Sequence, residues 1–187
     1  RKPRERFLQN GAIGFAANYF FVATQDDTLL KIDTHGVIVG ERPIDAPKSE
    51  NTLSSRHDGY FEGVFGIVAQ GDDVYVGALL NGTQFVQAYS ADTLELGWSV
   101  VLASAETPGD LYLAGDMLLC TAQGQLSCIR QDTGAFAWIE SDPEKSLSAN
   151  IYAINERYFL VATVTNGLTV RRLSDGEVLA AYHEDDD

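Results

Sequence analysis

The sequence predicts an all-β fold assembled from four copies of one four-stranded unit, and three observations carry that prediction. A strand of β-branched, apolar and aromatic residues ending in a small one recurs four times: Tyr19-Phe20-Phe21-Val22-Ala23-Thr24, Val74-Tyr75-Val76-Gly77-Ala78, Met117-Leu118-Leu119-Cys120-Thr121 and Tyr158-Phe159-Leu160-Val161-Ala162-Thr163. The spacing is roughly 41 to 55 residues, that of a four-stranded β-propeller blade. A second motif runs from Cys128 to Trp138, where a strand ends, Asp132-Thr133-Gly134 turns, and a short strand closes on tryptophan; Ala88 to Trp98 is its counterpart. No segment holds a helical apolar period over the ten or so residues a helix needs.

Each copy reads as four strands. First strands are Ile13-Gly14-Phe15-Ala16-Ala17, Phe65-Gly66-Ile67-Val68-Ala69, Leu111-Tyr112-Leu113-Ala114 and Ile151-Tyr152-Ala153-Ile154. Polar turns at Asn18, Gly71-Asp72-Asp73, Gly115-Asp116 and Asn155-Glu156-Arg157 lead into the recurring strand described above. The second hairpin turns at Gln25-Asp26-Asp27, Asn81-Gly82, Gln123-Gly124 and Asn166-Gly167; Asn-Gly tolerates the positive φ that a tight hairpin requires. Third strands follow at Leu29–Asp33, Phe85–Tyr89, Leu126–Ile129 and Leu168–Leu173, and fourth strands at Val37–Val39, Leu96–Val100, Ala135–Ile139 and Val178–Tyr182. The expected organisation is a propeller segment over 7–183 with blades at about 11–43, 63–102, 110–140 and 150–183, an inserted connection over 43–63 and an acidic tail over 184–187.

Composition narrows the function. The 187 residues are 45% hydrophobic and 21% charged, as expected of a folded domain. With 27 Asp+Glu against 13 Lys+Arg the formal net charge is −14, which repels nucleic-acid phosphates and anionic membranes. The charge serves solubility or a basic partner; nucleic acid is not an expected partner, and no apolar run is long enough for a spanning helix. The chain opens Arg1-Lys2-Pro3-Arg4, either after removal of a leader or as part of a longer polypeptide, so localisation stays open and is extracytoplasmic if a leader precedes Arg1. Cys120 and Cys128 lie on two strands of one hairpin. A two-residue turn places them on opposite faces, where they do not bridge, whereas a three-residue turn places them face to face.

The order of strand, Gly turn, strand, Asp-x-Thr-Gly-like turn and strand ending in Trp resembles the pyrroloquinoline-quinone-like repeat. That repeat builds the blades of quinoprotein dehydrogenases and of non-enzymatic relatives such as BamB-type outer-membrane assembly factors; WD40 and kelch blades have a similar period. Ala88, Thr93, Glu95 and Trp98 match its tryptophan-docking segment in copy two, and Thr133, Gly134 and Trp138 match in copy three. Leu94 stands where Gly is expected and Arg130 where Asp is expected, while copies one and four keep Gly36 and Gly176 and lose the tryptophan. The resemblance implies a docking role between blades for Trp98, Trp138, Thr93, Thr133 and Gly134. Propellers close with about four to eight blades, so these four are expected to be part of a larger ring continued by more of the same polypeptide or by another chain, with Arg6-Phe7-Leu8 as an outer strand of a preceding blade.

Candidate chemistry is thin. The connection over 43–63 carries Arg56, His57, Tyr60 and Phe61, and by strand order it shares a face with Asp26, Asp27 and Glu106. These seven residues are the expected partner-binding set, because loops on a rigid scaffold are where recognition is placed; a solvated loop without a partner is the alternative. Ser55, His57 and Asp58 are neighbours in sequence rather than a triad defined by geometry, and His35 and His183 lack partners at metal spacing. No catalytic, cofactor or metal residue is expected. The sequence therefore points to a non-catalytic propeller scaffold for protein–protein interaction, with a fragment of a quinone- or calcium-dependent oxidoreductase and an envelope assembly factor of BamB type as alternatives.

Overall fold

The computed structural model describes residues 8–47, 63–104, 108–122, 124–141, 150–163 and 167–182. They form sixteen strands in four antiparallel sheets of four, each laid down in chain order. This is the blade architecture of a β-propeller. Blade one contains β1 (Leu8–Ala16), β2 (Tyr19–Thr24), β3 (Thr28–Asp33) and β4 (Ile38–Pro43), and blade two contains β5 (Gly63–Gln70), β6 (Asp73–Leu80), β7 (Thr83–Ser90) and β8 (Leu96–Ser104). Blade three contains β9 (Leu111–Ala114), β10 (Met117–Ala122), β11 (Gln125–Arg130) and β12 (Phe136–Ser141); blade four contains β13 (Asn150–Ile154), β14 (Tyr158–Thr163), β15 (Gly167–Arg172) and β16 (Val178–Tyr182). The chain divides into two compact units, Arg1–Pro108 with the first two blades and Gly109–Asp187 with the last two.

Turn chemistry sets the boundaries. Ala17 and Asn18 have φ of 48° and 66°, so Ala17 opens the first turn instead of ending β1. Leu8 pairs with Thr24 within blade one, which corrects its expected place in a preceding blade. Between the third and fourth strands all four sheets carry a bulge at one repeat position, where Val39, Gly97, Ala137 and Leu179 are the extra residues. Such a bulge sharpens the local twist and re-aims the residue beside it. The next residue in each fourth strand is Gly40, Trp98, Trp138 or Ala180.

In the first unit β1 lies against β5, and the approach is close enough that a Cβ on Gly14 would sit 2.8 Å from Ile67 Cγ2. Phe21, Ala23 and Leu29 of blade one meet Val74, Val76, Ala78 and Phe85 of blade two in one buried cluster, which also takes in Ile44. In the second unit Leu119, Leu126 and Cys128 of blade three meet Ile151, Phe159 and Val161 of blade four. Each blade is half-covered by its partner, as a sheet with an apolar face requires.

Cys120 pairs with Ser127 and Cys128 with Leu119, the register of the two-residue turn, so the thiols project from opposite faces and both are free and buried. Burial pushes both thiols up, Cys128 from 9.0 to about 12. The unfolded chain therefore releases thiol protons at a pH where the folded chain keeps them. Stability supplied by the buried neutral thiols is whole below about pH 8.5 and falls as pH rises toward 12, by about 1.4 kcal/mol per pH unit for each thiol. Urea unfolding midpoints measured from pH 8 to 11 should drop along this course, more steeply than in a Cys120→Ala, Cys128→Ala variant.

Candidate interaction face and the contacts that hold it

The turn between third and fourth strands is built alike in three blades. Leu94, Gly134 and Gly176 adopt left-handed φ of 59°, 71° and 75°, and each donates its N–H to the carbonyl four residues back, at 2.9 Å. One position earlier, Thr93 and Thr133 Oγ1 accept from the N–H of Glu95 and Ala135 at 3.2 and 3.4 Å, and Asp175 Oδ1 accepts from Glu177 at 3.0 Å. The turn is also tied to the first hairpin of its own blade, since Ala91, Gln131 and Leu173 donate N–H to Asp72, Asp116 and Arg157.

Trp138 crosses from blade three to this turn in blade four. Its ring stacks on Phe159 with centroids 5.8 Å apart and planes inclined by 11°, and Nε1 donates to the Leu173 carbonyl at 2.7 Å. Gly176 leaves room for it, because a Cβ there would lie 3.1 Å from the indole. Farther along the interface the guanidinium of Arg171, 2% exposed, makes a two-pronged ion pair with Glu140 of blade three, while its Nε donates to Thr169 Oγ1 at 3.3 Å.

The first unit solves the same contact with the sizes exchanged. Gly40 holds the tryptophan position in blade one and Leu94 the glycine position in blade two; a Cβ on Gly40 would lie 3.1 Å from Leu94 Cδ1. Leu94 is 4% exposed, so its burial offsets the cost of left-handed backbone, about 1–2 kcal/mol for a residue with a Cβ. The missing indole N–H also has a replacement. Lys31, the cross-strand partner of Gly40, passes over the Tyr19 ring at 4.0 Å and donates from Nζ to the Asp92 carbonyl at 2.7 Å. Trp98, half-buried, lies 5.9 Å from the Tyr75 ring of its own sheet.

At the opposite end of the first unit, the second-hairpin turns and the blade-to-blade connection share one face. Ile44 is buried and donates its N–H to the Asp27 carbonyl at 2.8 Å, and Gln87 Nε2 donates to the Asp45 carbonyl at 2.9 Å. The start of the long connection is thus fixed to both sheets beside the turn of Asp26 and Asp27. Asp26 is exposed and accepts from Thr24 Oγ1, while Asp27 takes left-handed φ of 55°. Arg42, Pro43, Asp45, Pro47, Gln87 and Tyr89 line an open groove of about 210 Å³. Tyr89 donates to Gln87 Oε1 at 2.6 Å, and burial pushes its hydroxyl up to about 12. Arg56, His57, Tyr60, Phe61 and Glu106 lie outside the described residues. A second open groove, about 310 Å³ between Asp116, Glu156, Arg157 and Leu173, lies at the other end of the sheets in the second unit. Among the described residues no three His, Cys, Asp or Glu converge as metal ligands, and no helix is long and apolar enough to cross a membrane.

Over residues 49–183 the sequence matches the family described as outer membrane protein assembly factor BamB. The chain belongs to that family. BamB from Moraxella catarrhalis superposes with a TM-score of 0.65 at 19% identity, over 95% of this chain and 49% of that one. The computationally designed Ika8 protein gives 0.61 at 14% identity over 91% and 48%, and the WD40 propeller domain of Doa1 gives 0.60 at 10% over 97% and 56%. The β-propeller fold is shared across these structures, and this chain spans about half the length of the BamB and Ika8 chains. No curated protein matches the sequence.

Lys31, Gly40, Glu140 and Arg171 were not singled out from the sequence. Their signal lies in the aligned copies: Lys31 falls in a column otherwise occupied by Ala88, Cys128 and Val170, and Arg171 in one with Ile32, Tyr89 and Ile129. A charge in an apolar column marks a contact peculiar to that blade.

Trp138→Ala should cost about 3–5 kcal/mol in chemical unfolding, as expected for a large aromatic lost from a packed site, whereas Trp138→Phe should retain the stack and lose the hydrogen bond. Leu94→Gly relieves the backbone yet empties the space over Gly40, so a net loss of about 1–3 kcal/mol is expected. Glu140→Ala should cost more than Arg171→Ala, because it leaves a guanidinium that is 2% exposed without its counter-charge, whereas Arg171→Ala leaves a carboxylate that is 40% exposed and open to water. Unfolding of the five variants under one set of conditions checks the order.

Proposed function

We propose that this chain is a non-catalytic propeller scaffold that mediates protein–protein interaction through the loops on one face, in the manner of an assembly factor. The family's description supplies the partner class, proteins engaged in assembling outer membrane proteins. One observation carries the choice of face. The connection that departs from the repeat leaves the sheets at Ile44 and Asp45, which are held by Asp27 and Gln87, so recognition residues beyond Pro47 start from a fixed base beside an exposed acidic turn and an open groove. A preorganised base lowers the entropy cost of binding. Arg56, His57, Tyr60, Phe61 and Glu106, with Asp26 and Asp27, are the proposed contact residues; arginine and aromatics are the residue types that dominate protein interfaces.

The test is affinity capture from envelope extract with the wild-type chain, with residues 48–62 replaced by a short Gly-Ser linker, and with an Asp26→Asn, Asp27→Asn variant. Asparagine keeps the left-handed turn accessible. Loss of the same captured proteins by tenfold or more in the linker variant, and partial loss in the Asn variant, is expected, while Glu156→Ala on the other face leaves capture unchanged. Identical capture by all four proteins refutes the proposed face.

A further inference from the structure

The groove of the first unit is built on a floor of buried polar side chains. Gln87 and Tyr89 are 3% and 2% exposed. Tyr89 donates to Gln87 Oε1, and Gln87 Nε2 donates to the Asp45 carbonyl and to Ser99 Oγ, which uses both hydrogens of the amide. Strand register sets Leu96 beside Tyr89 and Ser99 beside Gln87 on one face of blade two, and Leu96 is 42% exposed. Arg42 and Pro43 of blade one, with Pro47 of the connection, form the facing wall. The prolines have no N–H to offer, so that wall is apolar apart from the guanidinium.

Two donors are left over. Ser99 Oγ accepts from Gln87 and keeps its own proton, and no carboxylate among the described residues pairs with Arg42. Among the described residues of the first unit Lys31 and Arg42 are the only lysine and arginine, and Lys31 is buried between Tyr19 and the Asp92 carbonyl. Burial raises the pKa of the Tyr89 hydroxyl, the Arg42 charge opposes that rise, and Asp45 adds to it by less than Arg42 takes away. The local field at the floor therefore favours an anion, in a chain of net charge −14. At about 210 Å³ the groove is smaller than small-molecule pockets of roughly 300–1,000 Å³ and suits one side chain of a protein partner.

We propose that this groove seats a glutamate side chain from an extended segment of the partner protein, its carboxylate taken by the Arg42 guanidinium and the Ser99 hydroxyl and its methylenes laid on Leu96 and Pro43. The inference rests on the reading of this face as the partner surface and gives that surface an anchor. A planar guanidinium matches a carboxylate with two parallel hydrogen bonds, which a lone ammonium could not supply. A floor whose own hydrogen bonds are complete is held in place before the ligand arrives, so little ordering accompanies binding. The surrounding carboxylates, Asp26 and Asp45, repel an acidic segment that does not reach Arg42, and this selects for register.

Amide NMR spectra of the 187-residue chain, titrated with the blocked peptide acetyl-Ala-Glu-Ala-amide and with its Gln analogue, test the assignment. The Glu peptide should give saturable shifts at Leu96, Ser99 and the Gln87 side-chain amide with a millimolar Kd. Its Gln analogue should bind about tenfold more weakly, the loss expected for a charge-assisted contact. Net charge alone predicts the reverse order, since it repels the Glu peptide and not the neutral one. Arg42→Gln should weaken the Glu peptide by about tenfold as well, and Asp45→Asn should tighten it, because Asp45 holds Gln87 through its backbone carbonyl while its carboxylate repels the ligand. No saturable shift at these positions, or equal binding of the two peptides, overturns the proposal. Should Arg42→Gln fail to fold, the two peptides on the wild-type chain decide by themselves. Envelope capture that is lost with the 48–62 linker and unchanged by Arg42→Gln refutes the anchor and leaves the face standing; a groove that prefers the Glu peptide in a chain whose capture is indifferent to 48–62 refutes the face and leaves the groove standing.

Discussion

The structure depends on what fills the space over a left-handed turn. That turn closes the third hairpin of a blade, and its one residue of positive φ leaves a shallow depression facing the neighbouring sheet. In the second unit the depression is floored by Gly176 and filled by Trp138; in the first it is filled from below by Leu94 and roofed by Gly40. The two arrangements assign the large and the small residue to opposite blades. Filling matters because sheets that touch only through alternating side chains can slide, and one interlocked pair per interface removes that freedom.

Much of this was legible in the sequence. Periodic strands, Asn-Gly turns and the recurring Asp-Thr-Gly segment carry local information, since each hairpin is decided by residues within about ten positions of one another. Blade contacts are different in kind. Leu94 looks like a defect in the repeat until Gly40, fifty-four residues upstream, is seen to be its complement. Lys31 and Arg171 read as solvated charges on strands of mixed polarity, and only the apposed sheet shows that one covers for a missing indole and the other pairs with Glu140. Long-range complementarity leaves no mark within a single window of sequence.

The same reasoning separates scaffold from recognition. At one end of blades two and four the first- and third-hairpin turns are joined by backbone hydrogen bonds and packed against the preceding blade, which commits them to structure. At the other end of the first unit Ile44 and Asp45, which open the connection after Pro43, are fixed to Asp27 and Gln87, and Asp26 beside them is exposed. Ile44 is the point of division: behind it the chain is core, and beyond it the sequence departs from the repeat. Residues free of a packing role are the ones that selection for a partner can change without loosening the blades.

Repeated units create a problem of order, because similar blades could pack on one another in several ways. The exchanged pairs answer it. A blade bearing a tryptophan cannot seat on Leu94, whose side chain already occupies the depression, and a blade bearing glycine at that position would leave Gly176 beneath a void. Arg171 adds an electrostatic condition, since a buried guanidinium accepts a neighbour with a carboxylate in reach and is costly beside one without. Lys31, which needs the Asp92 carbonyl and the Tyr19 ring together, adds another. Each contact is therefore selective by exclusion as well as by fit, and the departures from the repeat consensus are the residues that assign each blade its neighbour.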